Sequence, residues 1–292
     1  MSARKTLRTL IARKSLLIAP GAFDGLSARL VEQAGFAAVY LSGGAVARGA
    51  GFPDLGLMTL SEVIERARQV VAAVKIPVIA DADTGYGNAL SVVRTVREFE
   101  RAGVAAIHIE DQVTPKRCGH LDGKEVIPRE EMEEKVRAAL DARSDPDFIL
   151  IARTDARAVH GVDDAIARAR AFVRLGADAA FVEAAESEAE LERIARELKG
   201  VPLIVNMTRG GKTPLLPAAR LEAMGYRVAI FPSDTQRAGM YAMQETLAVL
   251  KRDGSTDAVD DKMVSFKERD RIAGLGEWEK MEKDYLPKGR RG

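Results

Sequence analysis

Residues Ile107 to Lys124, IHIEDQVTPKRCGHLDGK, decide how the rest of the chain is read. An apolar run, Ala105 to Ile109, ends on the acidic pair Glu110 and Asp111 and then enters a polar loop holding the chain's only cysteine, Cys118. A strand that stops on carboxylates and feeds a long glycine-bearing loop is where α/β enzymes place chemistry. Lys116, Arg117 and His120 lie within two residues of Cys118, and cationic neighbours favour the thiolate over the thiol. The polar surroundings therefore predict a reactive or proton-transferring cysteine, where an apolar setting would predict an inert, buried one.

Working outward, the same strand-then-helix unit recurs. Apolar runs at Leu16 to Ala19, Ala37 to Leu41, Pro77 to Ala80, Ala105 to Ile109, Phe148 to Ala152, Ala179 to Val182, Pro202 to Val205 and Arg227 to Phe231 predict strands. Helical periodicity fills the intervals, as at Ser61 to Ala73, Ala89 to Ala102, Arg129 to Arg143, Asp163 to Leu175 and Ser187 to Lys199. Continuous apolar strands mean a parallel sheet covered on both faces. Eight such units predict a (β/α)8 barrel of the TIM type over residues 1–254, with a doubly wound open sheet as the alternative. Residues 255–292 exceed what a barrel needs and read as one or two C-terminal helices, capping the barrel or packing on a neighbouring subunit, with Lys288 to Gly292 a disordered basic tail.

Composition excludes several function classes. Lys plus Arg (44) nearly balance Asp plus Glu (43), so the overall charge implies neither a nucleic-acid nor a membrane-surface partner. One cysteine excludes an internal disulfide framework and fits a reducing cytoplasm. The N-terminus begins basic and hints at amphipathic targeting, but its apolar run is too short for a signal peptide, and no stretch has the length of a membrane span. No GxGxxG or GxxxxGK[ST] fingerprint follows a strand, so a nucleotide site has no support.

The polar residues fall on one side of the strands. After successive strands come Ser42, Gly43 and Gly44, then Asp81 and Asp83, Glu110 and Asp111, Arg153 and Asp155, Glu183, Asn206 and Thr208, and lastly Arg237. The opposite turns are short and glycine-rich. That asymmetry is expected of a barrel whose C-terminal rim carries the active site. Asp81, Asp83 and Glu110 offer hard oxygens suited to Mg²⁺, with Mn²⁺ as an alternative ion. Capping of the Asp-x-Asp-x-Gly turn explains the first two residues but not a third carboxylate one strand away. With three histidines in the chain, His108 in a strand, His120 in a loop and His160 elsewhere, a zinc site is not indicated. Arg153 and Arg237 suit an anionic substrate, or else structural ion pairs.

The segments LSGGAVARGAGFPDLG, DADTGYGN, IHIEDQVTPKRCGH, ARTDA and NMTRGGKTP together resemble the isocitrate lyase and phosphoenolpyruvate mutase superfamily, most closely its short bacterial 2-methylisocitrate lyases, from about Pro20 to about Ala242. The resemblance implies a Mg²⁺-dependent barrel, usually a homotetramer with C-terminal helices exchanged between subunits, acting on a small carboxylate. It implies Asp81, Asp83 and Glu110 at the metal, and Cys118, Lys116, Glu110 and His120 as catalytic residues. Substrate contacts carry over to Ser42, Gly43, Gly44, Asp54, Gly119, Arg153, Glu183, Asn206, Thr208 and Arg237. The implied reaction is cleavage of a 2-hydroxy di- or tricarboxylate, such as 2-methylisocitrate to pyruvate and succinate, with Cys118 as proton donor. Thr208-Arg209-Gly210-Gly211 is instead similar to the branch of dimethylmalate lyase, oxaloacetate hydrolase and carboxyphosphonoenolpyruvate mutase, whereas Arg237 matches the methylisocitrate lyases. Carbon–carbon and phosphorus–carbon chemistry both remain open on this scaffold.

Overall fold

Inward and outward side chains alternate along each strand, and this alternation builds both the core and the site. The strands are β1 (Leu17–Ala22), β2 (Val39–Leu41), β3 (Val78–Asp81), β4 (Ala106–Glu110), β5 (Ile149–Thr154), β6 (Ala179–Val182), β7 (Leu203–Asn206) and β8 (Val228–Phe231). All pair in parallel in sequence order, and β8 returns to β1 through Leu17↔Val228 and its neighbours, closing the barrel that the sequence predicts. The computed structural model describes residues 1–286, so the basic tail from Lys288 lies outside the described residues.

Ala19, Tyr40, Ile79, Ala106, Ile151, Phe181, Ile204 and Ile230 belong to one buried cluster drawn from all eight strands, the barrel interior. One pleat repeat further on, the period-2 geometry of a strand puts Asp81, Glu183 and Asn206 on that same inward face, as it does Arg153 after Ile151 and, two repeats after Ala106, Glu110. The interior is thus apolar toward the strand starts and polar at the C-terminal mouth. Two further clusters seal the outer faces of the strands against the helices.

The helices are α1 (Ala3–Ala12), α2 (Gly25–Gln33), α3 (Gly43–Gly49), α4 (Leu60–Ala73), α5 (Ala89–Arg101), α6 (Arg129–Ala142), α7 (Arg157–His160), α8 (Val162–Leu175), α9 (Glu188–Glu197), α10 (Ala218–Met224), α11 (Asp234–Asp253), α12 (Phe266–Ala273) and α13 (Leu275–Tyr285). Local chemistry sets their ends. Thr59 and Glu62 form a reciprocal capping box on α4, and Gly176 and Gly225 close α8 and α10 in the left-handed conformation. The chain divides into two compact units, Met1–Gln236 and Arg237 onward. The second contains most of α11, a 3-10 turn at Asp257–Lys262, α12 and α13.

The basic N-terminus has a structural use that its sequence does not reveal. Leu7 and Ile11 of α1 join the barrel-interior cluster. Arg4 donates to the carbonyls of Val104 and Glu100, and Arg8 to that of Phe148. Val104 and Phe148 precede β4 and β5, so α1 closes the strand-start end of the barrel. Arg4 and Arg8 also pair with Asp145 and Asp178 at 2.7 and 2.9 Å. Because Leu7 is fully buried, Leu7→Ala should destabilise the fold by about 2–5 kcal/mol and leave the activity of the folded protein intact. An unchanged denaturant midpoint would show that α1 is not part of the barrel floor.

Candidate active site

Asp81 is the last residue of β3, and its two oxygens accept the backbone N–H groups of Gly43 (3.3 Å) and Asp83 (3.0 Å). Asp83 itself is held at φ 46°, an unusual conformation for a residue with a side chain. Its Oδ1 forms an ion pair with Lys116 Nζ at 2.8 Å. Lys116 Nζ also meets Asp54 Oδ1 at 2.6 Å. Glu110 ends β4, and neither of its buried oxygens has a hydrogen-bond partner, although Arg153 Nε stands 3.1 Å from Oε2. Burial raises the pKa of both Asp83 and Glu110, opposed by Lys116 and Arg153 respectively.

Among the described residues no three His, Cys, Asp or Glu side chains form a ready-made metal cage. Mg²⁺ does not require one, since it keeps several waters and uses one or two protein carboxylates. Buried carboxyl groups pushed toward protonation, Glu110 among them without a hydrogen-bond partner, are the surroundings that a hard cation relieves. The donor set of Asp83 and Glu110, steadied by Asp81, fits such an ion.

The loop after β4 folds over this acidic turn. Lys116 docks on Asp54 and Asp83, the Cys118 N–H donates to the Asp54 carbonyl (3.2 Å), and Lys124 Nζ donates to the Gly119 carbonyl and to Asp155 Oδ1, the latter at 3.0 Å. The expectation of a thiolate at Cys118 is corrected here. The half-buried thiol is pushed up to about 11, by burial first and by the Asp54 carboxylate next. Lys116 lowers it by less than burial and Asp54 raise it, its charge being shared with Asp54 and Asp83. Asp54, held below the usual carboxylate range by Lys116 despite its burial, also takes a hydrogen bond from the Cys118 side chain. Cys118 is therefore a protonated thiol at neutral pH, ready to give a proton.

Arg153, at an inward position of β5, binds Asp155 through Nε and Nη2 at 2.9 and 3.2 Å and approaches Glu183 at 3.3 Å. Its guanidinium lies over the Phe181 ring, 5.1 Å from the centroid. Glu183 accepts from Asn206 Nδ2 (3.2 Å), and Thr208 donates to Asn206 Oδ1 (2.6 Å). His120 Nε2 reaches Asn206 Nδ2 at 3.1 Å. Gly119 is confined: a Cβ there would stand 2.6 Å from Arg153 Nη2 and from Glu183 Cγ. At Gly43 it would meet Asp81 Oδ2 at 2.8 Å, and at Gly44 Asp54 Oδ2 at 2.5 Å. Ser42 caps α3, accepting from the Ala45 N–H. Asp111 turns away from the mouth and is tied to Thr154, the Asp155 N–H and Arg168. Arg237 opens the second compact unit. The residue before it, Gln236, is anchored by Arg48 Nε and the Ala45 carbonyl, both at 2.8 Å.

The profile of the phosphoenolpyruvate phosphomutase family matches residues 7–251. The chain belongs to the phosphoenolpyruvate mutase/isocitrate lyase superfamily. It is 46% identical to 2,3-dimethylmalate lyase of Eubacterium barkeri, over 98% of this chain and 99% of that one. It is 44% identical to 2-methylisocitrate lyase of Aeropyrum pernix, over 97% and 91%. A solved phosphonopyruvate hydrolase complex with oxalate and Mg²⁺ superposes with a TM-score of 0.90 at 33% identity, covering 98% of this chain and all of the other. Carbon–carbon lyases are thus among the relatives that this superfamily member matches over nearly its whole length.

Within this superfamily member, sequence reasoning missed Tyr40, His108 and Lys124 as parts of the site. Tyr40 Oη and His108 Nε2 share a hydrogen bond at 2.7 Å, and His108 Nδ1 faces Asp81 Oδ1 at 3.6 Å. Burial, then Arg153, lowers the His108 pKa to about 3, so the ring is neutral. Both lie on the barrel's inward face, and strand periodicity carried through β2 and β4 was the signal available. Lys124 sits at the end of the decisive stretch and, being a lysine, read as loop surface.

The raised thiol pKa generates a test. Alkylation of Cys118 by iodoacetamide should be slow at pH 7 and rise with a midpoint near 11. Asp54→Asn removes a negative neighbour, so the midpoint should fall. A midpoint at or below 8.5, the ordinary thiol value, in the unmodified protein would restore the thiolate reading.

Proposed function

We propose that the protein is a Mg²⁺-dependent carbon–carbon lyase that splits the C2–C3 bond of a 2-methyl-substituted malate and releases pyruvate. The observation that carries this reading is the pairing of buried carboxyl groups, Glu110 without a hydrogen-bond partner and Asp83 pushed toward protonation, with a loop that docks on Asp83 through Lys116 and carries a protonated thiol two residues later. Asp81, Asp83 and Glu110 would hold the ion, with Mn²⁺ as a substitute. When bound, Mg²⁺ supplies the positive charge that favours loss of the 2-hydroxyl proton. The solved relative in complex with oxalate and Mg²⁺ supports a metal and a small carboxylate as ligands.

The chain's own groups do the rest. Ser42, Gly43 and Gly44 receive the substrate carboxylate where Asp81 and Asp54 leave no room for a β-carbon. Arg153, Glu183, Asn206, Thr208, Gly119 and His120 wall the other side. As the 2-hydroxyl proton leaves, its electron pair forms the C2 carbonyl of pyruvate and the C2–C3 pair stays on C3, beside a carboxylate. Cys118 gives its S–H proton to C3, and the proton released from the hydroxyl restores the thiol. A thiol with a pKa of about 11 is loaded before the bond breaks.

2,3-Dimethylmalate and 2-methylisocitrate share the half that becomes pyruvate and differ at C3, where the first carries a methyl group and the second a carboxymethyl group. Arg237 follows the anchored Gln236 and is the candidate partner for that third carboxylate. Exposed Leu247, Phe266 and Trp278 in the second unit support burial against other copies, as a homotetramer with exchanged helices. No described helix is long and apolar enough to cross a membrane; the single cysteine supports a reducing, cytoplasmic setting for the enzyme.

Pyruvate release should be measured from 2,3-dimethylmalate and 2-methylisocitrate, with Mg²⁺ and with a chelator; no release from either substrate would sink the lyase reading. Arg237→Ala should lower kcat/KM about a hundredfold on 2-methylisocitrate, about 2–5 kcal/mol at most for an unpaired buried carboxylate, and far less on 2,3-dimethylmalate. Equal losses on both would make Arg237 structural. Asp83→Ala should abolish turnover while thermal unfolding stays cooperative, and activity surviving a chelator would remove the metal from the scheme. Cys118→Ser should bind substrate but turn over poorly, whereas a phosphorus–carbon mutase would tolerate the change.

A further inference from the structure

His120 belongs to the loop of Lys116 to Lys124, yet its ring is gripped by the turn after β7. The Lys212 N–H donates to His120 Nδ1 at 3.1 Å. The Lys212 N–H makes Nδ1 the acceptor of this bond, while Nε2 on the other side of the ring faces Asn206 Nδ2 at 3.1 Å. Gly211 lies flat against the imidazole: a Cβ there would stand 2.8 Å from Nδ1 and 2.9 Å from Cε1 and Cγ. No residue larger than glycine lets the two backbones approach so closely without one of them shifting. Lys212 Nζ also meets Asp122 Oδ1 at 2.5 Å, but the Asp122 side chain is 91% exposed, and a pair so exposed contributes little. The His120 side chain is 10% exposed, so the hydrogen bond at Nδ1 is the stronger tie.

We propose that His120 is a positioning residue that seats the cysteine-bearing loop on the β7 turn through Nδ1, with Gly211 as the gap that admits the ring and the Lys212 amide as the receiving group. Lys116 and Lys124 fasten the same loop to Asp54, Asp83 and Asp155, which lie on other parts of the rim. The buried tie between the loop and the turn that presents Asn206 and Thr208 is the imidazole, the Lys212–Asp122 pair being exposed. The seat therefore places Cys118 relative to those two side chains, and the Gly210-Gly211-Lys212 sequence sets how the loop sits. The kinetic consequence rests on the lyase reading; the order of the loop does not.

Asparagine and glutamine separate the two ring nitrogens, because the Asn amide falls near the Nδ1 position and the Gln amide near Nε2. Hydrogen exchange of the amides of residues 117–123 would be followed in the full-length, metal-free protein for His120→Asn, His120→Gln and Gly211→Ala, alongside KM and kcat on the pyruvate-releasing substrate. In His120→Gln and Gly211→Ala, exchange in this loop should rise about tenfold, the scale of one partly buried hydrogen bond. The barrel strands should stay protected, and KM should rise more than kcat falls. His120→Asn should stay close to the unmodified protein. Protection retained in His120→Gln, or in Gly211→Ala, overturns the proposal. Loss of loop protection with no pyruvate release from any variant or from the unmodified protein leaves the seat standing and removes only the lyase reading.

Discussion

The ion pair between Lys116 and the two carboxylates Asp54 and Asp83, at 2.6 and 2.8 Å, is the contact on which the mouth of the barrel depends. It brings a cation on a mobile kind of element, a long loop, down to an acidic turn built by a strand end. It also exposes an imbalance. Asp54, Asp81, Asp83, Glu110, Asp155 and Glu183 gather around Lys116, Lys124, Arg153 and Arg48, six carboxyl groups against four cations. Burying that excess in a low-dielectric site pushes the least compensated members, Asp83 and Glu110, toward protonation. An anionic substrate worsens the imbalance and a divalent cation relieves it, so the two have reason to arrive together.

The strand ends were legible in the sequence because parallel strands buried on both faces leave unbroken apolar runs, and a carboxylate or guanidinium at the end of such a run is conspicuous. Asp81, Glu110, Arg153, Glu183 and Asn206 stand out in this way. The floor beneath them was not. Tyr40 and His108 lie within strands, where an aromatic or a histidine reads as core, and only the closed barrel shows that the two touch each other and face Asp81. Nor was α1 visible as a barrel floor, since Arg4 and Arg8 act on carbonyls and carboxylates nearly a hundred residues or more away in sequence.

Cys118 shows why proximity in sequence is a poor guide to a pKa. Its neighbours Lys116 and Arg117 are cationic, but what counts is where their charges go after folding. Lys116 turns to Asp54 and Asp83, and Arg117 stays at the surface. The sulfur is left with the Asp54 carboxylate and a partly apolar shell, which reverses the sign of the shift. The reversal suits the proposed lyase reaction: a carbanion needs an acid that is protonated beforehand, and an activated thiolate could not serve until it had been reloaded.

The glycines of the rim express the same constraint in steric form. Gly43 and Gly44 run against Asp81 and Asp54, Gly119 against Arg153 and Glu183, and Gly211 against His120. In each case a backbone without a side chain lets a loop press directly on a charged or aromatic group contributed by another element. Motif comparison reads these positions as signatures of a family, but their physical content is distance. Charged groups crowded this closely leave little space for the substituents of a small anion, so under the proposed lyase reading discrimination among substituted malates falls to residues bordering these groups, among them the Gly210-Gly211-Lys212 turn that holds His120.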